Sequence, residues 1–201
     1  ENGGKLSLSN GTFSGVKVTD DGSSASLSGG TYSEIMGDNS YVKPYALLAK
    51  GHAYKKTTDN KWVSNANITL QKVTVEKAPF AVEKIYPNDE TDYTGSSAIA
   101  ANGSITLTAV ITPDTEGVAY EWELLRESDN SWLSSTYFYK VNEAAHTGAG
   151  SKTLSISGLP DNSSYQYRVL VRNSDGYQCY SEPFTVTRHQ HSWTYTADNT
   201  T

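Results

Sequence analysis

The residues best suited to chemistry are aromatic and lie beyond the middle of the chain. Tyr outnumbers Phe 14 to 4 in the sequence, which is typical of rings at partly wet positions. The segment that starts at Trp132 is expected to be a strand, and if Tyr137 and Tyr139 share a face of it, they form a platform with Trp132. Flat rings of this kind stack on sugars, so these three residues are the candidate site for a host or dietary glycan or glycoprotein. Ordinary cross-strand packing of the tyrosines is the preferred interpretation.

Acidic side chains are weaker candidates. Four carboxylates near the start of the chain lie in or beside turns rich in Gly and Ser, where a solvated carboxylate is the usual interpretation: Asp20, Asp21, Glu34 and Asp38. A glycosidase needs two carboxylates that face each other across a groove. The oxygen-rich stretch 88–92 could bind calcium, but it lacks the spacing of a known calcium loop. An acidic surface loop is the preferred interpretation.

The histidines assemble no familiar catalytic order. There are four of them, at His52, His146, His189 and His191. The sequence contains no arrangement typical of a Ser-His-Asp triad, a P-loop or a metalloprotease. His189 and His191 could bind a metal from one strand face, but no Cys or carboxylate ligand has a suitable spacing. We therefore expect no catalytic residue, no metal site and no cofactor, and a protein that is not an enzyme.

Charge and composition restrict the partners. The chain has 201 residues with 16 basic and 22 acidic side chains, a net charge of −6 without a run of like charges, so a nucleic-acid partner is not expected. Membrane insertion is not expected either, because no apolar run of about 18 residues occurs. A single cysteine, Cys179, fits a reducing compartment or a bacterial exterior. The abundance of Ser and Thr favours an extracellular or cell wall-attached location.

An internal repeat opens the chain. Leu8, Gly11 and Phe13 recur 19 residues later as Leu27, Gly30 and Tyr32, within segments that alternate apolar and polar residues. Alternation predicts strands, and a period near 20 with a glycine corner is typical of the rungs of a β-solenoid. Two rungs are too few to be stable alone. The segment is therefore interpreted as the last rungs of a right-handed β-solenoid. The start at Glu1 rather than Met indicates a piece of a longer protein, whose upstream and downstream domains would be its partners.

The residues after the repeat predict a cap. Pro44 suits a helix start and Gly51 a helix end, which predicts a helix of about two turns. A hairpin is expected over 53–56 and 61–63, followed by a closing strand over 68–75. The run from Gly11 through 47–54 to Val73 resembles the β-helix ends of large surface proteins of gut Gram-positive, Firmicutes-type bacteria. That resemblance implies a solenoid terminus over residues 1–77.

The rest of the chain to Arg188 predicts a β-sandwich. Short alternating segments separated by turn residues are typical of that architecture. Trp122 falls on the inward face of its segment and is the expected core tryptophan. Seven strands are predicted, over 81–86, 103–112, 118–127, 132–140, 152–157, 164–173 and 177–187.

The segment 154–176 resembles the back half of an immunoglobulin-like domain. The resemblance covers about 78–188 and implies that Tyr165 is the corner tyrosine of that family. Tyr167 and Ala109 stand where antibody-type domains carry cysteines, so the inter-sheet disulfide is absent. Cys179 is expected to be a small buried hydrophobe.

The last residues, 189–201, resemble the start of a short His-x-His and Trp repeat that follows such domains, and a linker is the preferred interpretation. The whole chain is thus expected to be all-β: solenoid rungs with a short helix and hairpin cap, then an Ig-like sandwich. The expected function is a non-enzymatic stalk or adhesion segment of a bacterial cell-surface or secreted protein that can contact glycans. The alternative is the accessory C-terminal region of a β-helix carbohydrate-active enzyme, a glycosidase or polysaccharide lyase.

Overall fold

A computed structural model describes residues 5–17, 24–36, 44–63, 69–88, 96–99 and 103–189. In this part of the chain the protein is all-β, with several sheets, none of which closes, and two short 3-10 helices. The residues pack into two compact units. Unit 1 is drawn from Glu1–Ala81, Ile111–Val118 and Arg172–Cys179, and unit 2 from Val82–Val110, Ala119–Val171 and Tyr180–Thr201.

The described residues of unit 1 form seven strands. They are β1 (Lys5–Leu8), β2 (Thr12–Phe13), β3 (Val16–Lys17), β4 (Ser24–Leu27), β5 (Thr31–Met36), β6 (His52–Lys56) and β7 (Thr69–Lys77). β1 pairs with β4 in a two-stranded sheet, and a second sheet has the order β2-β5-β7-β6 with β3 also paired to β5.

The sequence repeat sets the register of the parallel pairs. Leu8 pairs with Leu27, Phe13 with Tyr32, and Val16 with Ile35, each 19 residues apart. The rings of Phe13 and Tyr32 stack with centroids 5.0 Å apart. The predicted matching of the two repeats is confirmed, because equivalent residues lie on top of each other.

A glycine allows the two repeats to approach closely. A Cβ atom on Gly29 would lie 1.9 Å from the carbonyl oxygen of Ser9, which no side chain could accommodate without a shift of the backbone. The core that forms beneath is contiguous. It consists of Val16, Leu27, Tyr32, Ile35, Leu47, Tyr54, Leu70, Val73 and Val75.

The predicted helix is wrong in type and length. A single 3-10 turn spans Pro44–Leu47, and Leu48 then forms a parallel bridge with Leu27. The amide of Ala49 donates to the carbonyl of Leu27 at 2.9 Å. This segment forms backbone hydrogen bonds with the edge of β4. It could not form them if it continued as a helix. The predicted hairpin is confirmed by β6 and the bridge between Lys55 and Trp62, and β7 is the predicted closing strand, shifted by one to two residues.

Two further sheets lie mainly in unit 2, and a few of their end residues belong to unit 1. Their strands are β8 (Ala81–Pro87), β9 (Ser96–Ile99), β10 (Ser104–Thr112), β11 (Ala119–Arg126), β12 (Ser131–Ser134), β13 (Ala145–Thr147), β14 (Thr153–Ser157), β15 (Ser163–Arg172), β16 (Gln178–Tyr180) and β17 (Phe184–Arg188). One sheet has the order β13-β14-β10-β8, and the other has the order β12-β11-β15-β17-β9 with β16 beside β15. The arrangement is sandwich-like, with apolar inner faces on both sheets.

The predicted core of this unit is largely confirmed. Trp122 is fully buried, and its indole nitrogen donates to the carbonyl of Ser151 at 3.0 Å. Alternating residues of β10 are also buried, as the period of two requires, and β15 alternates until Val169, after which Leu170 and Val171 are both buried. The remaining buried residues in these strands are Ile105, Leu107, Ala109, Ile111, Tyr167, Val169, Leu170 and Val171.

Several predicted strands need correction. The segment 132–140 is strand only as far as Ser134, and a 3-10 helix spans Ser135–Lys140. The segment 177–187 holds two strands, β16 and β17, because residues 181–183 between them are not strand. The sequence patterns do not predict the short strands β9 and β13. Cys179 is partly exposed rather than buried.

Candidate functional site

The β11–β12 hairpin positions Trp132. The side chain of Arg126 pairs with the carboxylate of Asp129 across the turn, and the amide and hydroxyl of Ser131 both donate to that carboxylate. These hydrogen bonds hold the pKa of Asp129 well below its usual range, and the bond from Arg126 has the largest effect. Asn130 takes a positive φ of 54°, which Asn tolerates at a tight turn. The turn fixes the register in which Leu125 pairs with Trp132.

The ring of Trp132 is one wall of a stacked array. The guanidinium of Arg168, on β15, lies 4.2 Å from the ring centroid of Trp132 and 4.1 Å from that of Tyr180. Arg168 also donates to the carboxylate of Glu123 at 2.6 Å. A guanidinium between two aromatic faces is attracted to both ring quadrupoles. One face of Trp132 is therefore covered by Arg168.

The two tyrosines of the predicted site lie on the 3-10 helix that follows. Successive side chains of such a helix project about 120° apart, so Tyr137 and Tyr139 do not share a face as they would on a strand. Both are exposed, by 45% and 70%. The ammonium of Lys140 lies 4.6 Å from the ring centroid of Tyr137. The structure thus replaces the expected flat platform by two tyrosines that point in different directions.

Phe138 holds this helix against the core. Its side chain is 3% exposed and makes an edge contact with the ring of His146, with centroids 4.7 Å apart. The amides of Val141 and Asn142 donate to the carbonyl of Phe138 and close the turn. Because the residue between the two tyrosines is buried, the exposed rings are carried by an anchored segment.

A polar cluster lies beneath the helix. His146, on β13, forms a hydrogen bond of 2.9 Å between its Nε2 and the hydroxyl of Tyr167. Burial lowers the pKa of His146 and raises the pKa of Tyr167, because burial disfavours the charged form of each group. Asn142 is buried, and its side-chain oxygen accepts from the amide of Ala144 at 3.2 Å.

The acidic and histidine candidates do not form a site in the described part of the chain. Glu34 accepts from Gln71 at 3.3 Å on exposed surface, whereas Asp20, Asp21 and Asp38 lie outside the described residues. Of the stretch 88–92, Asn88 alone is described, and its side chain accepts from the amide of Thr106 at 3.0 Å. His191 also lies outside. Within the ranges that the structure describes, no group of three or more His, Cys, Asp or Glu side chains could hold a metal ion.

The sequence analysis missed the members of the stacked array other than Trp132. Arg168 lies between the buried residues Tyr167 and Val169, so strand alternation alone places it on the outer face of β15. The same alternation on β11 places Glu123 on the outer face, because the preceding residue, Trp122, points inward. Tyr165, the expected corner tyrosine, is partly exposed. Two residues later, the hydroxyl of Tyr167 forms the hydrogen bond to His146.

The sequence matches no known family model and no curated protein. Murine CRIg matches at 17% identity with a TM-score of 0.31, over 53% of this chain and 99% of its own. The three N-terminal domains of the bacteriophage RB49 highly immunogenic outer capsid protein match at 12% identity with a TM-score of 0.32, over 70% of this chain and 57% of that one. At these scores neither likeness bears on function. In the described part of the chain, no helix has the length and apolar character that a membrane span requires.

Proposed function

We propose that this chain is a non-enzymatic stalk and adhesion segment of a bacterial cell-surface or secreted protein, and that its anchored tyrosines contact glycans. The observation that carries the proposal is the display of Tyr137 and Tyr139 by a helix whose intervening residue is buried. Large exposed rings on an anchored segment lose little conformational freedom when a ligand stacks on them. Lys140 beside Tyr137 adds a hydrogen-bond donor for a sugar hydroxyl or carboxylate.

The stalk role is supported by the in-register parallel repeats of unit 1. We propose that they are terminal rungs of a β-solenoid, and that unit 2 is an Ig-like sandwich that follows it. Its two apolar inner faces and the core residue Trp122 support this assignment. Rungs and sandwiches placed in series extend a chain from a surface, which suits a segment that carries a binding region outward.

The glycan proposal is tested by binding to a panel of host mucins and plant polysaccharides. The variant Tyr137→Ala with Tyr139→Ala removes both exposed rings and should abolish binding without loss of thermal stability. Leu6→Ala is the matched control, because Leu6 is as exposed as Tyr137, at 45%, but lies in unit 1. A second variant, Trp132→Ala with Tyr139→Ala, tests whether the indole takes part.

Retained binding in the folded double-tyrosine variant would overturn the assignment of this surface. The second candidate function, an accessory region of a β-helix carbohydrate-active enzyme, is favoured by the same parallel repeats. The gene sequence upstream of this chain separates the two. Preceding rungs with a pair of carboxylates that face one groove would favour the enzyme, whereas rungs without such a pair would favour the stalk.

A further inference from the structure

The outer edge of the first repeat, formed by β1, β2 and β3, is open in the part of the chain that the structure describes. β1 has β4 as its partner, and β2 and β3 both have β5. Each of the three strands therefore has one edge without a paired strand among the described residues. An open edge of this kind offers a row of backbone donors and acceptors to another strand.

The second repeat shows what covers such an edge. Its ladder residues Leu27, Tyr32 and Ile35 are fully buried, and each lies on a strand paired with the first repeat on one side and with a later segment on the other. Their equivalents in the first repeat are more exposed to solvent, and by different amounts. Val16 is 9% exposed, while Leu8 and Phe13 are only partly buried. The first repeat thus carries the same pattern with one side uncovered.

We propose that this outer edge is the docking surface for one further 19-residue unit of the same parallel type, which precedes Lys5 in the parent protein. The inference rests on the solenoid proposed above and specifies its neighbour. The two repeats share a spacing, with an aliphatic residue followed by an aromatic ring five residues later and a β-branched residue three after that. The incoming unit must carry the same three residues, so that its ring stacks on Phe13 as Phe13 stacks on Tyr32.

The backbone hydrogen bonds between the two repeats predict which hydrogen bonds an incoming unit should form at the outer edge. The amides of Ser28 and Thr31 donate to the carbonyls of Leu8 and Gly11, at 2.9 and 2.8 Å. One period earlier, the equivalent amides belong to Ser9 and Thr12. These two are the donors that an incoming unit should occupy.

At one position, the difference between the two repeats affects how closely a neighbouring unit can approach. Asn10 stands where the second repeat has Gly29, the residue whose missing Cβ admits the carbonyl of Ser9. An incoming unit must therefore approach less closely above Asn10 than the first repeat approaches Gly29. Replacing Asn10 by Gly removes that obstacle and should strengthen the docking.

The experiment adds a copy of residues 5–23 directly before Lys5 in the full chain. The proposal expects a higher melting temperature and on the order of tenfold slower hydrogen exchange at the amides of Ser9 and Thr12. Asn10→Gly in the extended chain should slow exchange further. The matched control has the same length but carries Ser in the added copy at the positions equivalent to Leu8, Phe13 and Val16, and should leave exchange unchanged.

Equal protection by the intact and the Ser-substituted copies would overturn the proposal, as would no protection by either. If the unextended chain forms a dimer that already protects Ser9 and Thr12, the occupant is a second copy and the proposal is also wrong. Glycan binding is measured on the same proteins and does not depend on this edge. If the added copy gives no protection but glycan binding is retained, the docking proposal fails and the adhesion proposal does not.

Discussion

The two units build their cores from different kinds of strand neighbour. In the two repeats of unit 1, parallel strands place core residues on their equivalents one repeat away, as with Leu8 on Leu27. In unit 2, antiparallel strands bring unrelated positions together, such as Ile105 and Ile156. The first arrangement depends on close approach of similar backbones, and the second on large side chains that fill the space between two sheets. The difference predicts which substitutions each unit can tolerate.

The largest expected effect is in unit 2. Trp122→Ala removes a fully buried indole and its hydrogen bond to Ser151, and should lower the free energy of unfolding by about 3–5 kcal/mol. Urea unfolding measured by circular dichroism gives this value. Trp132→Ala is the control, because Trp132 is only partly buried and should cost much less. Equal losses in the two variants would contradict the assignment of Trp122 as the centre of this core.

The corresponding test of unit 1 introduces a methyl group rather than removing a ring. Gly29→Ala places a Cβ 1.9 Å from the carbonyl oxygen of Ser9, and should cost about 1–3 kcal/mol because the repeats must separate. Gly15→Ala is the matched control in the same repeat stack, since its Cβ would lie 3.8 Å from the carbonyl oxygen of Glu34, an ordinary contact. Thermal unfolding of both variants makes the comparison. If Gly29→Ala is as stable as Gly15→Ala, close approach is not what holds the repeats together.

On the acid side of neutrality, a pH-dependent effect is expected from His146 in unit 2. Burial lowers the pKa of His146 from the ordinary 6.5, so the unfolded chain takes up this proton before the folded chain does. Stability from this group is therefore fully present above about pH 6.5 and is lost as the pH falls toward the folded pKa. Urea unfolding across this range should show the loss, and His146→Gln should reduce it.

Tyr167→Phe distinguishes the stability that comes from the hydrogen bond to His146 from the stability that depends on the protonation of His146. It removes the hydroxyl that contacts His146 and should cost about 0.5–1.5 kcal/mol. Burial of the imidazole remains, so a pH dependence should remain as well. A pH profile that is identical in the wild type and in His146→Gln would show that this histidine does not contribute.

The smallest expected effect is on the outer face of unit 2. Arg168→Lys keeps a positive charge near Glu123 but loses the planar group between Trp132 and Tyr180, and should cost about 0.5–1 kcal/mol. Arg126→Lys, at an exposed ion pair, should give no measurable change. Chemical denaturation of the two variants, measured side by side, resolves the difference. A larger loss than that of Trp122→Ala would mean that the outer face, rather than the core, determines the stability of this unit.

Sequence reasoning succeeded where a local pattern alone determines the structure. The offset between Leu8 and Leu27 predicted a register, and alternation around Trp122 predicted an inward face. It failed where partners distant in sequence decide the outcome. Leu48 leaves a helical pattern because the edge of Leu27 offers it a backbone partner.

The candidate site was predicted in part. Tyr137 and Tyr139 were identified as aromatic candidates, but the strand alternation that placed them on one face does not hold. Phe138 packs against His146, which lies on a strand of the other sheet. The local sequence pattern does not predict that contact. Arg168 could have been placed on the outer face, but its position between Trp132 and Tyr180 depends on the pairing of three separate strands.

The constant 19-residue register also has a mechanical consequence. Each stacked repeat adds one interstrand spacing, about 4.8 Å, to the height of the folded stack. The same 19 residues measure about 65 Å when pulled straight. A repeat that peels away under load would therefore lengthen the tether by more than ten times the height it contributed. In the proposed stalk, unrolling one repeat at a time would absorb tension in steps of similar length.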